Sequence, residues 1–162
     1  MSFRICFVCS GNICRSPMAE VVLAQEAAEA GLGDRLAIDS AGTAADVGFD
    51  IDRRARKALE RRGYVSIGHR GRQFQPGWLD ERDLVVAMEK SHVRWLESRA
   101  PRPGQHGTVR LLGSYPTGLR GQDGPLEIPD PWYGDEADFE SCLDLVQAGC
   151  TALLRELAAE LS

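Results

Sequence analysis

The chain lacks both a long apolar run and an excess of positive charge. No stretch of its 162 residues approaches the roughly 20 apolar residues that a membrane-spanning helix needs. The formal net charge is −5, whereas a general nucleic-acid surface needs a basic excess to displace counterions. We therefore expect neither a membrane nor a nucleic acid among its partners.

The first residues lack the pattern of a secretory signal peptide. Met1 to Arg4 lead directly into a strand-like run, without a basic start, an apolar stretch and a small-residue cleavage site. This predicts a cytoplasmic location, with export that uses no signal peptide as the open alternative.

The cysteines do not form the even-numbered set of a secreted disulfide framework, because there are five of them. Cys6 and Cys9 have a Cys-x-x-Cys spacing, but no second Cys or His pair follows at the spacing of zinc ligands. On a strand these two side chains point to opposite faces, so Cys6 is predicted to fill the core. Cys142 and Cys150 lie on an apolar helical stripe and are predicted to be buried structural residues.

Strands and helices alternate along the whole chain, and its length favours a single domain, residues 1–162. Such alternation predicts an α/β fold with three layers, in which a central four-stranded parallel sheet of Rossmann or flavodoxin type lies between helices. The last connection carries many Gly and Pro residues, and its length favours a functional loop. The predicted strands are 3–9, 35–39, 83–88 and 108–112, the helices are 17–30, 51–62, 90–99 and 136–160, and the long loop is 113–134.

The segment that follows the first strand carries a nucleophile and a guanidinium at the two ends of a short loop, Cys9 and Arg15. A thiolate is favoured beside Arg and at a helix N-terminus, and the planar Arg fork matches two oxygens of a phosphoryl group. Ser16 suits the N-cap of a helix, Pro17 suits its first turn, and Gly11 gives the backbone freedom close to an anion. The segment therefore predicts an anion-binding loop with a nucleophile inside it. By itself, this spacing also suits several unrelated phosphatase folds and rhodanese-like proteins.

Further blocks along the chain make the interpretation more specific. The first segment, V-C-S-G-N-I-C-R-S-P, closely resembles the signature of the low-molecular-weight protein tyrosine phosphatases. Later blocks resemble that family's motifs in the family's order and cover nearly the whole chain. They are Ser40 to Thr43, His69 with Arg72 and Gln73, Ala87 to Glu89, and Asp130-Pro131-Trp132-Tyr133-Gly134.

The resemblance implies an enzyme that hydrolyses phosphotyrosine through a phosphocysteine on Cys9. Arg15 would stabilise the transferred group, and Asp130 would act as general acid and then as general base. Tyrosine-phosphorylated proteins would be the substrates, and inorganic phosphate would be a product. No cofactor and no metal is expected, because Arg15 and the loop amides supply the charge stabilisation.

The resemblance also assigns supporting roles. Ser40 and His69 would hold the loop in shape, and Trp132 and Tyr133 would form an aromatic wall for the substrate ring. The residues alone favour a surface loop histidine for His69 and a simple turn for Asp130 with the proline after it, and the resemblance reverses the interpretation of Asp130. The rest of the phosphate-binding loop would be Ser10, Gly11, Asn12, Ile13, Cys14 and Ser16. Cys14 resembles a loop cysteine that protects Cys9 by forming a disulfide on oxidation, and inert packing is its alternative.

Two segments depart from the family's pattern. Residues 44–49 are shorter than usual and carry a carboxylate, Asp46, near the place where family members have an aromatic residue. Phe49 is the aromatic residue of this segment. Glu89 and His92 stand where a Met-Asp opening and a later Asn are usual. The change in residues 44–49 bears on substrate preference and not on the chemistry, and the change at Glu89 and His92 is the milder of the two.

Two other functions fit parts of the sequence. An arsenate reductase shares the fold and the Cys loop, but it needs further cysteines on a flexible segment to relay a disulfide. A phosphate-binding or phosphotyrosine-binding module without activity would need the loop but not Asp130. Assays of phosphate ester hydrolysis and of arsenate reduction separate the three.

Overall fold

The computed structural model describes residues 2–100, 108–118 and 126–161. Residues 119–125 of the predicted loop 113–134 lie outside that range. The strands are β1 (Phe3–Cys9), β2 (Leu36–Gly42), β3 (Leu84–Ala87) and β4 (Val109–Leu111). The helices are α1 (Arg15–Glu29), α2 (Arg53–Arg61), α3 (Trp78–Glu81), α4 (Lys90–Ser98) and α5 (Glu136–Leu161), with 3-10 turns at Gly33–Arg35 and Pro131–Tyr133.

The four strands form one parallel sheet in the order β2-β1-β3-β4. Alternate residues of the central strands point to opposite faces. Phe7 and Val86 pack with α1, α2 and α5 on one face, whereas Val8 and Val85 pack with α3 and α4 on the other. The predicted three-layer α/β/α fold with a central four-stranded parallel sheet is confirmed.

The cysteine predictions are confirmed by this packing. Cys6 and Cys9 belong to the cores on opposite faces of the sheet. Cys142 and Cys150 are buried on α5, and burial raises the pKa of both thiols, to about 12 for Cys142.

Several predicted boundaries are wrong. Helix α1 begins at Arg15 and not at Pro17, so Ser16 is not an N-cap, and the true N-cap residue, Cys14, makes no capping side-chain hydrogen bond. Strand β2 runs three residues further than predicted, to Gly42, because parallel pairing with β1 continues as far as Cys9. Helix α3 and both 3-10 turns were not predicted.

The order of the strands in the sheet determines where a ligand-binding cleft forms. In an open parallel sheet, ligands bind beyond the carboxyl ends of the strands, where the chain order reverses direction. Here that point lies between β1 and β3, and the residues that follow them are the loop after Cys9 and the start of α4 at Lys90. In the part of the chain that the structure describes, no helix is long and apolar enough to span a membrane.

Candidate active site

The Cys9 loop, residues 9–15, is held by hydrogen bonds on its outer side. Each carbonyl group from residue 9 to residue 14 accepts a hydrogen bond. The donors, in order, are the amides of Thr43, Ala44 and Asp46, the ring of His69, and the amides of Asp52 and Met18. The amides of residues 10–14 donate no hydrogen bond to any described residue. With its carbonyls turned outward, the loop is a nest of free donors for an anion.

Asn12 carries the backbone strain of the loop. Its φ of 59° lies in the left-handed region, which Asn tolerates better than most residues. Its side-chain amide donates to Ser16 Oγ at 2.8 Å and to Ser40 Oγ at 3.0 Å, while its Oδ1 accepts from the Arg72 amide at 2.9 Å. His69 Nε2 contacts the Asn12 carbonyl oxygen at 2.7 Å. These contacts over-determine a conformation that would otherwise be unfavourable.

Glycine is required at position 11 for a different reason from the backbone freedom that the sequence predicts. Its φ is not in the left-handed region, so backbone freedom is needed at Asn12 and not at Gly11. A Cβ added at Gly11 would come within 2.9 Å of Asp46 Oδ2. Glycine at this position therefore leaves room for a neighbouring carboxylate.

Ser16 contacts the thiol of Cys9. Its Oγ lies 3.0 Å from Cys9 Sγ, accepts from the Asn12 side-chain amide and lies 3.4 Å from the Ala41 carbonyl oxygen, so its single proton is shared between the sulfur and that carbonyl. Ser40 Oγ in turn donates to Glu20 Oε1 at 2.6 Å, and burial raises the pKa of the Glu20 carboxyl. A chain of polar contacts thus runs from Cys9 to Glu20, which lies on the same face of α1 as Ser16. Sequence reasoning missed Glu20, although it lies one helical turn after Ser16.

Arg15 is buried and is held by three acceptors. Its Nη1 donates to the Ile128 carbonyl at 2.8 Å and lies 3.1 Å from Glu89 Oε2, and its Nη2 lies 3.6 Å from Asp130 Oδ2. A guanidinium has five N–H donors in a rigid fork, so these contacts fix its plane while leaving donors for a ligand. Glu89 was noticed in the sequence as a departure but was not predicted as a site residue.

His92 is a further site residue that sequence reasoning did not predict. It is 2% exposed, and its Nδ1 accepts from the Glu89 amide at 3.1 Å. The neutral ring must therefore carry its proton on Nε2, which donates to Ser10 Oγ at 2.9 Å. This leaves the Ser10 hydroxyl proton free. Burial first, and the nearby Arg15 second, lower the pKa of His92 to about 4.

This buried histidine predicts an acid-sensitive stability. The unfolded chain binds a proton at His92 below the ordinary histidine pKa of about 6.5, and the folded protein does so only near 4. Between these values protonation favours unfolding, so His92 alone lowers the free energy of unfolding by roughly 2 kcal/mol from pH 7 to pH 4.5. Glu89, Asp130 and Glu127 face the ring and oppose this shift, but burial outweighs them.

The test compares the free energy of unfolding of the wild type with that of His92→Gln, measured by urea unfolding at pH 7 and at pH 4.5. We expect the variant to lose about 2 kcal/mol less than the wild type over this interval. Equal losses in the two proteins would contradict the assignment of a neutral, buried His92.

Asp130 lies at the mouth of the site and begins the turn Pro131–Tyr133. Its Oδ1 accepts from the Trp132 amide at 3.1 Å. The rings of Trp132 and Tyr133 meet edge to face with centroids 4.8 Å apart, and their side chains are exposed. Arg54 of α2 donates to the Trp132 carbonyl at 3.1 Å, which ties this turn to the body of the protein.

The predicted site residues divide into two groups around a cavity of about 320 Å³. Asn12, Ser16, Ser40 and His69 do not line the cavity, and their side chains support the loop by hydrogen bonds. Phe49 is exposed and does not line the cavity, whereas Asp46 does. The lining consists of Cys9, Ser10, Gly11, Ile13, Cys14, Arg15, Ala44, Asp46, Asp130, Trp132 and Tyr133.

The remaining cysteine of the loop is poorly placed for ionisation. Cys14 is buried, and burial together with the Asp52 carboxylate raises the pKa of its thiol well above the ordinary value. Within the described residues, no group of three His, Cys, Asp or Glu side chains could hold a metal ion.

A thiol at the floor of an anion nest, beside a buried arginine at the carboxyl edge of a parallel sheet, defines the class of cysteine-centred phosphate-binding sites. The family model for low molecular weight phosphotyrosine protein phosphatases matches residues 4–162. The chain belongs to that family, which consists of hydrolases, and the resemblance seen in the sequence is confirmed.

Individual relatives agree with this assignment. The chain is 46% identical to a low molecular weight protein-tyrosine-phosphatase of Streptomyces coelicolor, over 95% of the chain and 93% of the relative. It superposes on YfkJ of Bacillus subtilis with a TM-score of 0.89 at 31% identity, covering 100% and 98% of the two chains. It also superposes on the YwlE arginine phosphatase, solved as a mutant with a phosphorylated active site serine, with a TM-score of 0.83 at 28% identity and 96% coverage of each chain.

Proposed function

We propose that residues 1–162 form one catalytic domain that hydrolyses phosphotyrosine in proteins, with Cys9 as nucleophile and Asp130 as general acid and base. The observation that carries this proposal is the convergence of Cys9, Arg15 and Asp130 on one cavity, next to loop amides that have no partner among the described residues. The nucleophile lies at the floor, 2% exposed, and the carboxyl lies at the mouth. A displacement at phosphorus needs the nucleophile on one side of the phosphoryl group and the proton donor beside the leaving group, and this arrangement supplies both.

In the first step, the Cys9 thiolate attacks phosphorus and forms an S–P bond. The bond from phosphorus to the ester oxygen breaks, and the Asp130 carboxyl gives its proton to that oxygen. Arg15 and the loop amides stabilise the three equatorial oxygens. In the second step, water attacks phosphorus, Asp130 takes a proton from it, and the S–P bond breaks. The products are an alcohol or phenol and inorganic phosphate.

An aryl substrate suits the walls of the cavity. Ile13 and Ala44 present apolar surface, and Trp132 and Tyr133 can meet a phenyl ring edge-on or in an offset stack. The YwlE neighbour makes phosphoarginine the alternative substrate to test. The buried Cys142 and Cys150 on α5 argue against a disulfide relay for arsenate reduction.

One set of assays tests the proposal. We expect rapid hydrolysis of para-nitrophenyl phosphate and of a phosphotyrosine peptide, with no loss of rate in EDTA. We expect at least tenfold lower kcat/KM for the matching phosphoarginine peptide, since a guanidinium gains less than a phenyl ring from apolar walls, about 1.4 kcal/mol of discrimination. Faster turnover of phosphoarginine, or thiol-dependent reduction of arsenate without ester hydrolysis, would contradict the proposal.

A further inference from the structure

The position of Asp46 is fixed by the same hydrogen bonds that shape the Cys9 loop. Thr43, Ala44 and Asp46 donate their amides to the carbonyls of residues 9, 10 and 11 at 2.9, 3.0 and 2.9 Å. On the other side, a Cβ added at Gly71 would lie 2.1 Å from the Asp46 carbonyl oxygen, so the 71 backbone packs directly against this segment. The Asp46 backbone is therefore held between two neighbours, and its side chain faces the cavity.

The Asp46 carboxylate has no ion-pair or side-chain hydrogen-bond partner in the described part of the chain. The next two acidic residues along the chain are different. Asp50 pairs with Arg56, and Asp52 pairs with Arg54 at 3.1 Å. Within one short segment, two carboxylates are neutralised by the fold and the one that lines the cavity is not.

As a result, negative side chains outnumber positive ones on the wall of the cavity. Among the described residues that line it, the charged side chains are Arg15, Asp46 and Asp130. Arg15 already contacts Asp130 and the carboxylate of Glu89. A phosphoryl group brings up to two more negative charges into this site. Among phosphotyrosine segments, a negative wall beside an anion-binding nest disfavours those without a basic side chain.

We infer that Asp46 selects phosphotyrosine segments that carry a Lys or Arg side chain next to the phosphotyrosine. With the phosphoryl group on the Cys9 loop, an adjacent basic side chain reaches the rim and converts a repulsion into an ion pair. The exposed rings of Trp132 and Tyr133 border the same cavity and can also receive a cation on their faces. This inference rests on the proposed function and adds a substrate class to it.

The test compares two phosphotyrosine peptides that differ only in whether Lys or Gln flanks the phosphotyrosine. In the wild type we expect kcat/KM at low salt to be about three- to fivefold higher for the Lys peptide, the range of a partly exposed ion pair. Asp46→Asn should remove the preference and should raise kcat/KM for the Gln peptide. High salt should weaken the wild-type preference, since exposed charges are screened.

Asp34→Asn is the matched control. Asp34 is an exposed carboxylate in the turn Gly33–Arg35, before the amino end of β2 and hence at the opposite edge of the sheet. The same change of charge there should leave the peptide preference intact. A preference for Lys that persists in Asp46→Asn, or its absence in the wild type, would overturn the inference. Failure of the proposed function looks different, because phosphoarginine would then be turned over faster than either phosphotyrosine peptide, or none of these substrates would be hydrolysed.

Discussion

Replacing Cys9 with Ser is expected to abolish ester hydrolysis while the site keeps its affinity for inorganic phosphate. The serine hydroxyl is not ionised at neutral pH. Asp130 is proposed to protonate the leaving group and not to deprotonate the nucleophile, so it would not activate the serine. Loss of a covalent nucleophile lowers kcat by about 10⁴-fold or more. Phosphate binding should survive because the carbonyls of the Cys9 loop are held from outside and do not depend on the sulfur.

The measurement is kcat for para-nitrophenyl phosphate, together with the dissociation constant of phosphate by calorimetry. Cys150→Ser is a matched control, since its thiol donates to the Ala19 carbonyl far from the cavity and a hydroxyl can replace that contact. The control should keep its turnover. Turnover above about a hundredth of the wild type in Cys9→Ser would exclude a phosphocysteine on this residue.

Replacing Asp130 with Asn should lower kcat/KM by about 10²- to 10⁴-fold on phosphotyrosine, the range of a general acid. The loss should be smaller for aryl phosphates whose phenols are more acidic, because such leaving groups need less protonation. The asparagine keeps an Oδ1 that can accept from the Trp132 amide, so the turn Pro131–Tyr133 is preserved. The readout is the slope of log kcat/KM against leaving-group pKa, which should become steeper, because kcat/KM reports the step in which the leaving group departs.

Asp130 also contacts Arg15, and the expected loss could arise from a misplaced guanidinium instead. Glu89→Gln separates the two explanations, because Glu89 contacts the same guanidinium at 3.1 Å but is not proposed to transfer a proton. We expect Glu89→Gln to lower activity by a similar factor for all leaving groups. If Asp130→Asn gave that same flat dependence, Asp130 would be a positioning residue and the general acid would have to be sought elsewhere.

The parts of the molecule that could be predicted are those fixed by local sequence. The apolar run of β3, the helical stripe of α5 and the succession of Cys9 loop and α1 are encoded by neighbouring residues. The end of β2 could not be predicted, because Ser40, Ala41 and Gly42 have little tendency to form a strand and are extended by pairing with β1. Long-range pairing decides such cases.

In the site, too, the residues that could be predicted are those that lie close together in the sequence. Cys9 and Arg15 share one short motif and are visible together in the sequence. Glu89 and His92 reach them only because β3 lies next to β1, so that the start of α4 packs against the Cys9 loop. The helix start at Arg15 was missed because Pro17 fits the first turn at more than one position, and helix boundaries depend on contacts that a local pattern does not contain.

The way in which residues 43–46 attach to the Cys9 loop bears on how enzymes of this shape can diverge. The attachment uses backbone amides, which every residue except proline supplies, while the side chains of Ala44 and Asp46 face the cavity. Mutation can therefore exchange the groups that meet the substrate without altering the nest that holds the anion. Substrate choice and chemistry are physically separable here, and a gene duplicate could acquire a new target through one or two codons in this segment.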